Sequence, residues 1–203
     1  MKLRYSPTSP YVRKVSVTAI ETGLDGRVER VATDPWSPET DLGDDNPLGK
    51  VPALTLDDGQ TLFESKVICE VLDGLHDGAK LFPANEPAHT AALRRQALGD
   101  GMTDAGILLL IETKRRPEEL RWDWWTERQK TNIARAMDVA EGEADGLTAD
   151  DLSIGHIAIA CSLGWIDLRF PDMGWREGRP KLAAWYAEFA ERPAMQATAP
   201  PTS

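Results

Sequence analysis

Cysteine is nearly missing from this chain, with Cys69 and Cys161 the only two among 203 residues. Two thiols so far apart offer neither a zinc-ligand spacing nor a C-x-x-C redox pair. Each lies among apolar residues at helical spacing (Val67, Ile68 and Val71; Ile157, Ile159 and Leu163). Both therefore read as buried free thiols, suited to a reducing cytoplasm. Positive charge is also scarce: 23 Lys and Arg stand against 33 Asp and Glu, a formal net charge of −10. A phosphate backbone attracts a basic footprint, so a general nucleic-acid binder is excluded. An anionic ligand would need a local cationic pocket within a globally repulsive field. No apolar run approaches the ~20 residues that cross a bilayer. No charged-then-apolar leader opens the chain, so neither a membrane partner nor a signal peptide is expected. What is present, 41% hydrophobic and 28% charged residues, is ordinary globular composition. The length suits one large domain or two small ones, with no need for disulfides or a structural metal.

Residues Lys2 to Tyr5 read as a short strand. Ser9-Pro10 then reads as an N-cap with proline at the first helical position, ahead of Val12, Val15, Ala19 and Ile20 at helical spacing. Gly23 ends that helix, and Val28 to Val31 is a second strand. From Thr33 to Gly49 the chain is loop, with room for one helical turn. Pro52 to Leu56, the turn Asp57-Asp58-Gly59, and Thr61 to Phe63 read as a hairpin. Glu64-Ser65 opens a helix striped by Val67, Ile68, Val71, Leu72 and Leu75. The order β-α-β then β-β-α is a thioredoxin-like arrangement. A polar, proline-containing stretch at 77–86 reads as a linker. Helices are expected over Ala88–Thr113, Trp122–Gly142, Ser153–Phe170 and about Pro180–Ala190, with a Pro/Thr tail after them. The expected architecture is an α/β thioredoxin-like domain at 1–76 and an all-α domain at 87–203.

Three local features carry chemistry, each beside a plainer reading. Val51-Pro52 is either an ordinary edge-strand proline or a cis-proline that turns the Val51 backbone outward to pair with an extended peptide. Glu64-Ser65 either caps its helix, with Ser65 as N-cap, or binds an α-amino acid group. In the second case Glu64 accepts from the ammonium, and the free N–H groups of the helix start take the carboxylate. Ser9 is either a cap alone or a cap that still donates its own proton to an outside thiolate. A free thiol titrates near 8.5, and lowering that by about two units requires ~2.7 kcal/mol of differential stabilisation. A hydroxyl and a helix terminus together can supply it.

These features, in this order, resemble the glutathione transferase family. The run Ser9-Pro10-Tyr11-Val12-Arg13 precedes a helix ending at Glu21-Thr22-Gly23-Leu24. Asn46-Pro47-Leu48-Gly49-Lys50-Val51-Pro52-Ala53-Leu54, the turn at 57–59, and Glu64-Ser65 follow, and then Leu81-Phe82-Pro83 leads into the helical half. The stretch from Ser6 to Val15 looks most like a bacterial YibF-like branch.

The resemblance implies a glutathione S-transferase with glutathione as co-substrate, a small apolar electrophile, a homodimer, a detoxifying role and no metal. Ser9 falls where serine- and cysteine-type members contact the glutathione sulfur, and Tyr5 falls where tyrosine-type members do. Ser9 is the preferred catalytic residue. Val51, with Pro52 cis, would pair with the cysteinyl part; Glu64 and Ser65 would hold the γ-glutamyl end; Lys50 would meet the glycyl carboxylate or a backbone carbonyl, or else stand as a solvated loop lysine. Ile107, Leu108, Ile111 and Trp122 would line the second-substrate pocket; Trp122 and Trp125, three apart and so on one face, would otherwise pack in the core. Asp100 and Asp104 would either face solvent or reach the ligand's ammonium group across a dimer.

Two departures matter. No cysteine stands at position 9, which disfavours thiol–disulfide exchange. The buried helix opens Ser153-Ile154-Gly155-His156, where the family usually has aspartate at the fourth place. His156 is read there as a structural variation and not a catalytic base. A glutathione-binding regulatory module without turnover, and a glutathione-dependent isomerase, are the alternative functions.

Overall fold

The computed structural model describes residues 1–148 and 151–201. They divide into two compact units: one runs from Met1 to Asn85 and regains the chain from Arg192 onward, the other spans Glu86–Glu191.

The first unit is built on a four-stranded sheet, β1 (Lys2–Tyr5), β2 (Glu29–Ala32), β3 (Ala53–Thr55) and β4 (Thr61–Phe63), in the order β2-β1-β3-β4. β1 and β2 are parallel, joined through helix α1 (Pro10–Glu21); β3 is antiparallel to both β1 and β4. This is the β-α-β then β-β-α order read from the sequence. A single turn, α2 (Leu42–Asp45), interrupts the long loop before β3, and α3 (Ser65–Gly74) follows β4. Leu3, Val12, Val15, Leu54, Ile68, Cys69 and Leu72 are wholly buried between sheet and helices. Burying each leucine- or isoleucine-sized side chain contributes ~1.5–3 kcal/mol. The Thr18 hydroxyl donates to Cys69 Sγ at 3.4 Å, which gives that buried thiol a packing role.

After α3 the chain is tied down. The buried Asp73 carboxylate accepts the backbone N–H of Leu81 at 2.8 Å and of Phe82 at 3.2 Å, and lies 3.2 Å from His76 Nε2. Lys80 Nζ donates to the Asp73 and His76 carbonyls, covering the acceptors left open at the end of α3. The expected Pro/Thr tail contains a further short helix, α8 (Pro193–Ala197), packed on α1. Ala194 and Met195 are buried, Arg13 Nη2 donates to the Met195 carbonyl at 3.0 Å, and Arg192 forms a two-pronged pair with Glu21 at 2.9 Å. The segment from Arg192, placed by sequence with the helical half, thus belongs to the first unit.

The second unit holds α4 (Glu86–Leu110), α5 (Asp123–Glu143), α6 (Ile154–Arg169) and α7 (Pro180–Ala190). Helix α6 is buried continuously from Ile154 to Ile166, so it reads as apolar all round rather than striped. Met102, Leu109, Ile133, Met137, Leu163, Ile166 and Trp175 form the core around it. Its start is closed by a capping box in which His156 replaces the usual acid: Nδ1 accepts the Ser153 backbone N–H at 3.1 Å. An imidazole nitrogen accepts only where it carries no proton, so Nδ1 is the bare nitrogen in this contact. Among the described residues no helix is long and apolar enough to cross a membrane.

Several carboxylates are held below their ordinary range by their partners. Hydrogen bonds from Arg4 lower Asp41, and the Trp122 backbone N–H, followed by Arg116, lowers Glu112 against the cost of burial. Burial pushes Glu143 up, but Arg94 and Arg95 more than cancel it. A lowered folded-state pKa gives stability that is complete above the unfolded value and is lost as pH falls through the folded one. The melting temperature, followed by circular dichroism, should therefore change little between about pH 7 and 5 on account of these groups. It should fall progressively below about pH 4, where unfolded carboxyls protonate first. Added salt should blunt the part due to exposed pairs such as Arg4–Asp41.

Candidate functional site

The sheet register gathers the three sequence features at one edge. Lys2 faces Thr55 and Leu3 faces Leu54, so continuing the ladder outward sets Tyr5 across from Pro52. Ala53 faces Phe63, so Glu64 lies across from Pro52 on the other side. The loop from Tyr5 turns at once into α1, with the Ser9 N–H donating to the Ser6 carbonyl at 3.1 Å. The end of β1, the start of α1, the start of β3 and the start of α3 therefore share that edge.

Ser9 is the N-cap of α1, with extended backbone, and its Oγ accepts the Val12 N–H at 3.3 Å. That bond uses the oxygen's lone pair and leaves the hydroxyl proton to donate elsewhere. Pro10 at the first helical position loses no bond, because the N–H it lacks has no partner in a helix start. Tyr5, half-buried, has the Arg30 guanidinium over its ring at 5.9 Å.

The Val51–Pro52 peptide is cis, and Val51 precedes β3, outside the ladder. Lys50, beside it, is exposed. The loop leading in is set by Asn46, buried at 2% exposure, whose side-chain amide bonds at both ends. Sequence reading passed over this residue, because an asparagine in a polar loop has no periodic signature.

Glu64 has φ 71 and ψ 116, the one non-glycine residue with positive φ among those described. Such a conformation costs ~1–3 kcal/mol and persists only where the surroundings impose it. Ser65 is not the N-cap expected from sequence. Glu64 occupies that place, and Ser65 is the first helical residue, buried, its hydroxyl donating to Glu64 Oε1 at 3.3 Å. Neither residue's side chain caps the helix start, so a ligand meeting Ser65 would meet its backbone N–H and not a hydroxyl held in a cap.

The residues expected to line an electrophile pocket lie in the second unit. Ile107 packs against the core and Leu108 is exposed on α4. Ile111 begins a wide helical turn over Ile111–Arg115, and Trp122 immediately precedes α5. Glu112, buried and unremarked in sequence, joins these two ends: it accepts the Trp122 N–H at 2.8 Å and Arg116 Nε at 2.8 Å. Trp122 and Trp125 lie on one face, as their spacing predicts, with near-parallel rings 6.5 Å apart; Trp124 stacks on Trp122 at 4.8 Å. Trp122 and Trp124 are more than half exposed, so these rings present apolar surface instead of filling a core.

Comparison with known proteins agrees with this organisation. Residues 8–75 match the model of the glutathione S-transferase N-terminal domain, and residues 125–188 match that of its C-terminal domain. The chain is 34% identical to the GST-like protein YibF of Escherichia coli K12, over 99% of both chains. A glutathione transferase family member from Pseudomonas fluorescens Pf-5, solved with bound glutathione, superposes with a TM-score of 0.94 at 44% identity, covering 99% of each chain. A glutathione S-transferase from Methylobacillus flagellatus, also with glutathione bound, gives 0.92 at 37% identity, covering 98% of this chain and 99% of that one.

Proposed function

The chain belongs to the glutathione S-transferase family, and we propose on that footing that it binds glutathione at the sheet edge and activates its thiol for attack on a carbon electrophile. The observation that carries the reading is the convergence of the Ser9 cap, the cis Val51–Pro52 peptide and the strained Glu64 at one edge of one sheet. Each suits a different part of an extended γ-glutamyl tripeptide.

Ser9 donates its hydroxyl proton to the sulfur while its oxygen stays engaged by Val12, and the positive end of α1 adds to the field. Val51 pairs its backbone with the cysteinyl residue, as an added strand does. Glu64 accepts from the γ-glutamyl ammonium, the Ser65 N–H at the start of α3 takes its carboxylate, and Lys50 meets the glycyl carboxylate. The bound thiol loses its proton to solvent. The thiolate then forms a bond to the electrophilic carbon, and the leaving group departs with its electron pair. The working protein is a cytoplasmic homodimer.

Ultraviolet difference spectra of glutathione titrated into the protein between about pH 5 and 9 test this. Thiolate absorption should appear with a midpoint well below the free value of about 8.5. Binding by calorimetry without that shift would favour a module that holds glutathione without turning it over. No binding would remove the proposal altogether.

Glu64 offers a test in which stability and function part company. Glycine occupies positive φ without strain, so Glu64→Gly should leave the melting temperature unchanged or raise it by a few degrees. The same change removes the acceptor for the ligand's ammonium, and the Kd for glutathione should rise about tenfold or more. A lower melting temperature together with weaker binding would show Glu64 to be a structural residue.

A further inference from the structure

We propose that Asn46 is the positioning residue for the ligand-pairing backbone of Val51, an inference that rests on the glutathione reading above. Asn46 uses every polar group it has on its own loop. Its N–H donates to the Leu42 carbonyl at 2.8 Å, and its carbonyl accepts the Gly49 N–H at 2.8 Å. Its Oδ1 accepts the Leu48 N–H at 3.0 Å, and its Nδ2 donates to the Lys50 carbonyl at 2.7 Å.

The last of these bonds matters for binding. The Lys50 carbonyl belongs to the Lys50–Val51 peptide, the same rigid plane as the Val51 N–H. That peptide is trans, the cis bond being the next one, so its C=O and N–H point in opposite directions. Holding the carbonyl toward Asn46 therefore aims the Val51 N–H the other way. Gly49, at φ +62, makes the left-handed turn that returns the chain to Asn46. Lys50 is exposed and Val51 lies outside the sheet, so no ladder bond fixes this plane and the asparagine amide does so instead. The site needs a donor and an acceptor from one short, uncharged side chain, which asparagine supplies and aspartate does not. Preorganisation of this kind appears as affinity, because the ligand then orders nothing on binding.

The test is a double-mutant cycle between protein and ligand. In Asn46→Asp the donor to Lys50 is lost while the acceptor for Leu48 remains. Its Kd for glutathione should rise about tenfold, equal to 1.4 kcal/mol. The titration midpoint of the bound thiol should stay where it is in the unaltered protein, since Ser9 is untouched. The second arm uses a glutathione analogue with a thioamide in place of the cysteinyl C=O, a weaker acceptor for the Val51 N–H. The unaltered protein should bind that analogue several-fold more weakly than glutathione, and Asn46→Asp should bind the two equally within about twofold. Independent, multiplying losses would overturn the proposal, as would an unchanged Kd in Asn46→Asp. Failure of the unaltered protein to bind glutathione at all sinks the functional reading and this inference with it. Should the aspartate variant not fold, Asn46→Ser is measured in the same cycle. Should neither fold, the Val51 amide order parameter in the ligand-free protein decides: about 0.85 supports a preset backbone, and below about 0.6 overturns it.

Discussion

Ser9→Ala is expected to return the bound glutathione thiol most of the way to its free pKa and to lower kcat/KM for conjugation by about a hundredfold. The magnitude follows from the charge: a hydrogen bond to an ionised acceptor contributes ~1.5–3 kcal/mol, and each 1.36 kcal/mol is one pKa unit. The sign follows from where the proton goes. A thiol whose bound pKa is lowered gains affinity as pH rises through that value, and the gain is complete above the free pKa. The variant's affinity should therefore match that of the unaltered protein near pH 5, where both bind the neutral thiol. The two should diverge by pH 8. Alanine also removes the cap on the Val12 N–H, a loss of ~1 kcal/mol in stability. Ser9→Gly separates the two effects, because glycine at an N-cap costs only a few tenths of a kcal/mol yet lacks the hydroxyl. If glycine and alanine abolish the thiol shift alike, the hydroxyl acts on the sulfur and not through the helix. An unmoved thiol pKa in both would take the role from Ser9, and Tyr5→Phe would then be the variant to measure.

The parts legible in sequence were those written in period or punctuation. The two strand-helix units, the N-cap at Ser9-Pro10 and the buried helix around Cys161 were all readable from apolar spacing and proline placement. So was the aromatic face of Trp122 and Trp125. What escaped were features that depend on a partner distant in sequence or on a backbone angle. Glu64's positive φ has no signature, since glutamate is not a residue that seeks that region. Its cost is borne by the surrounding fold, and it displaced Ser65 from the cap assigned to it. Asn46 and Glu112 carry no periodic signal, because their work is to donate to or accept from backbone four and ten residues away. The helix within the C-terminal tail was hidden by its prolines. Pro193 starts a helix, and what holds the segment is Arg192 reaching Glu21 and Arg13 reaching Met195, some 170 to 180 residues apart. His156 is intermediate: its position reads as a structural variation, and only the fold shows an imidazole nitrogen accepting the Ser153 N–H where the family usually has an acid.

Gly99→Ala is expected to be among the most destabilising single methyl groups that can be added to the second unit. Glycine in the middle of a helix normally costs ~1 kcal/mol relative to alanine, so the substitution should help if nothing stood in the way. Here the added Cβ would lie 2.6 Å from the Ala158 carbonyl carbon, 2.7 Å from the Ile159 nitrogen and 2.8 Å from the Ala158 oxygen. Those atoms are backbone, and they belong to α6, buried from Ile154 to Ile166, so no side-chain rotation relieves the clash and the helix has no free face to retreat to. The same two helices meet again where Gly155 faces Arg95 Cβ, at 2.5 Å from an ideal Cβ. Small residues at both places let α4 and α6 approach backbone to backbone. Overpacking a closed core costs ~1–3 kcal/mol and occasionally more, and a clash with main chain on both sides of a peptide belongs at the upper end. For a chain of this size each kcal/mol moves the midpoint by ~2–4 °C, so a fall of about 6–12 °C is expected. Gly101→Ala, two residues along the same helix, is the control. Its added Cβ meets nothing within 4 Å, and it should raise the midpoint by a few degrees through helix propensity alone. Opposite signs from two identical substitutions in one helix would locate the constraint at the crossing; a neutral Gly99→Ala would show that α6 can shift, and that the close approach is not what fixes the helical unit.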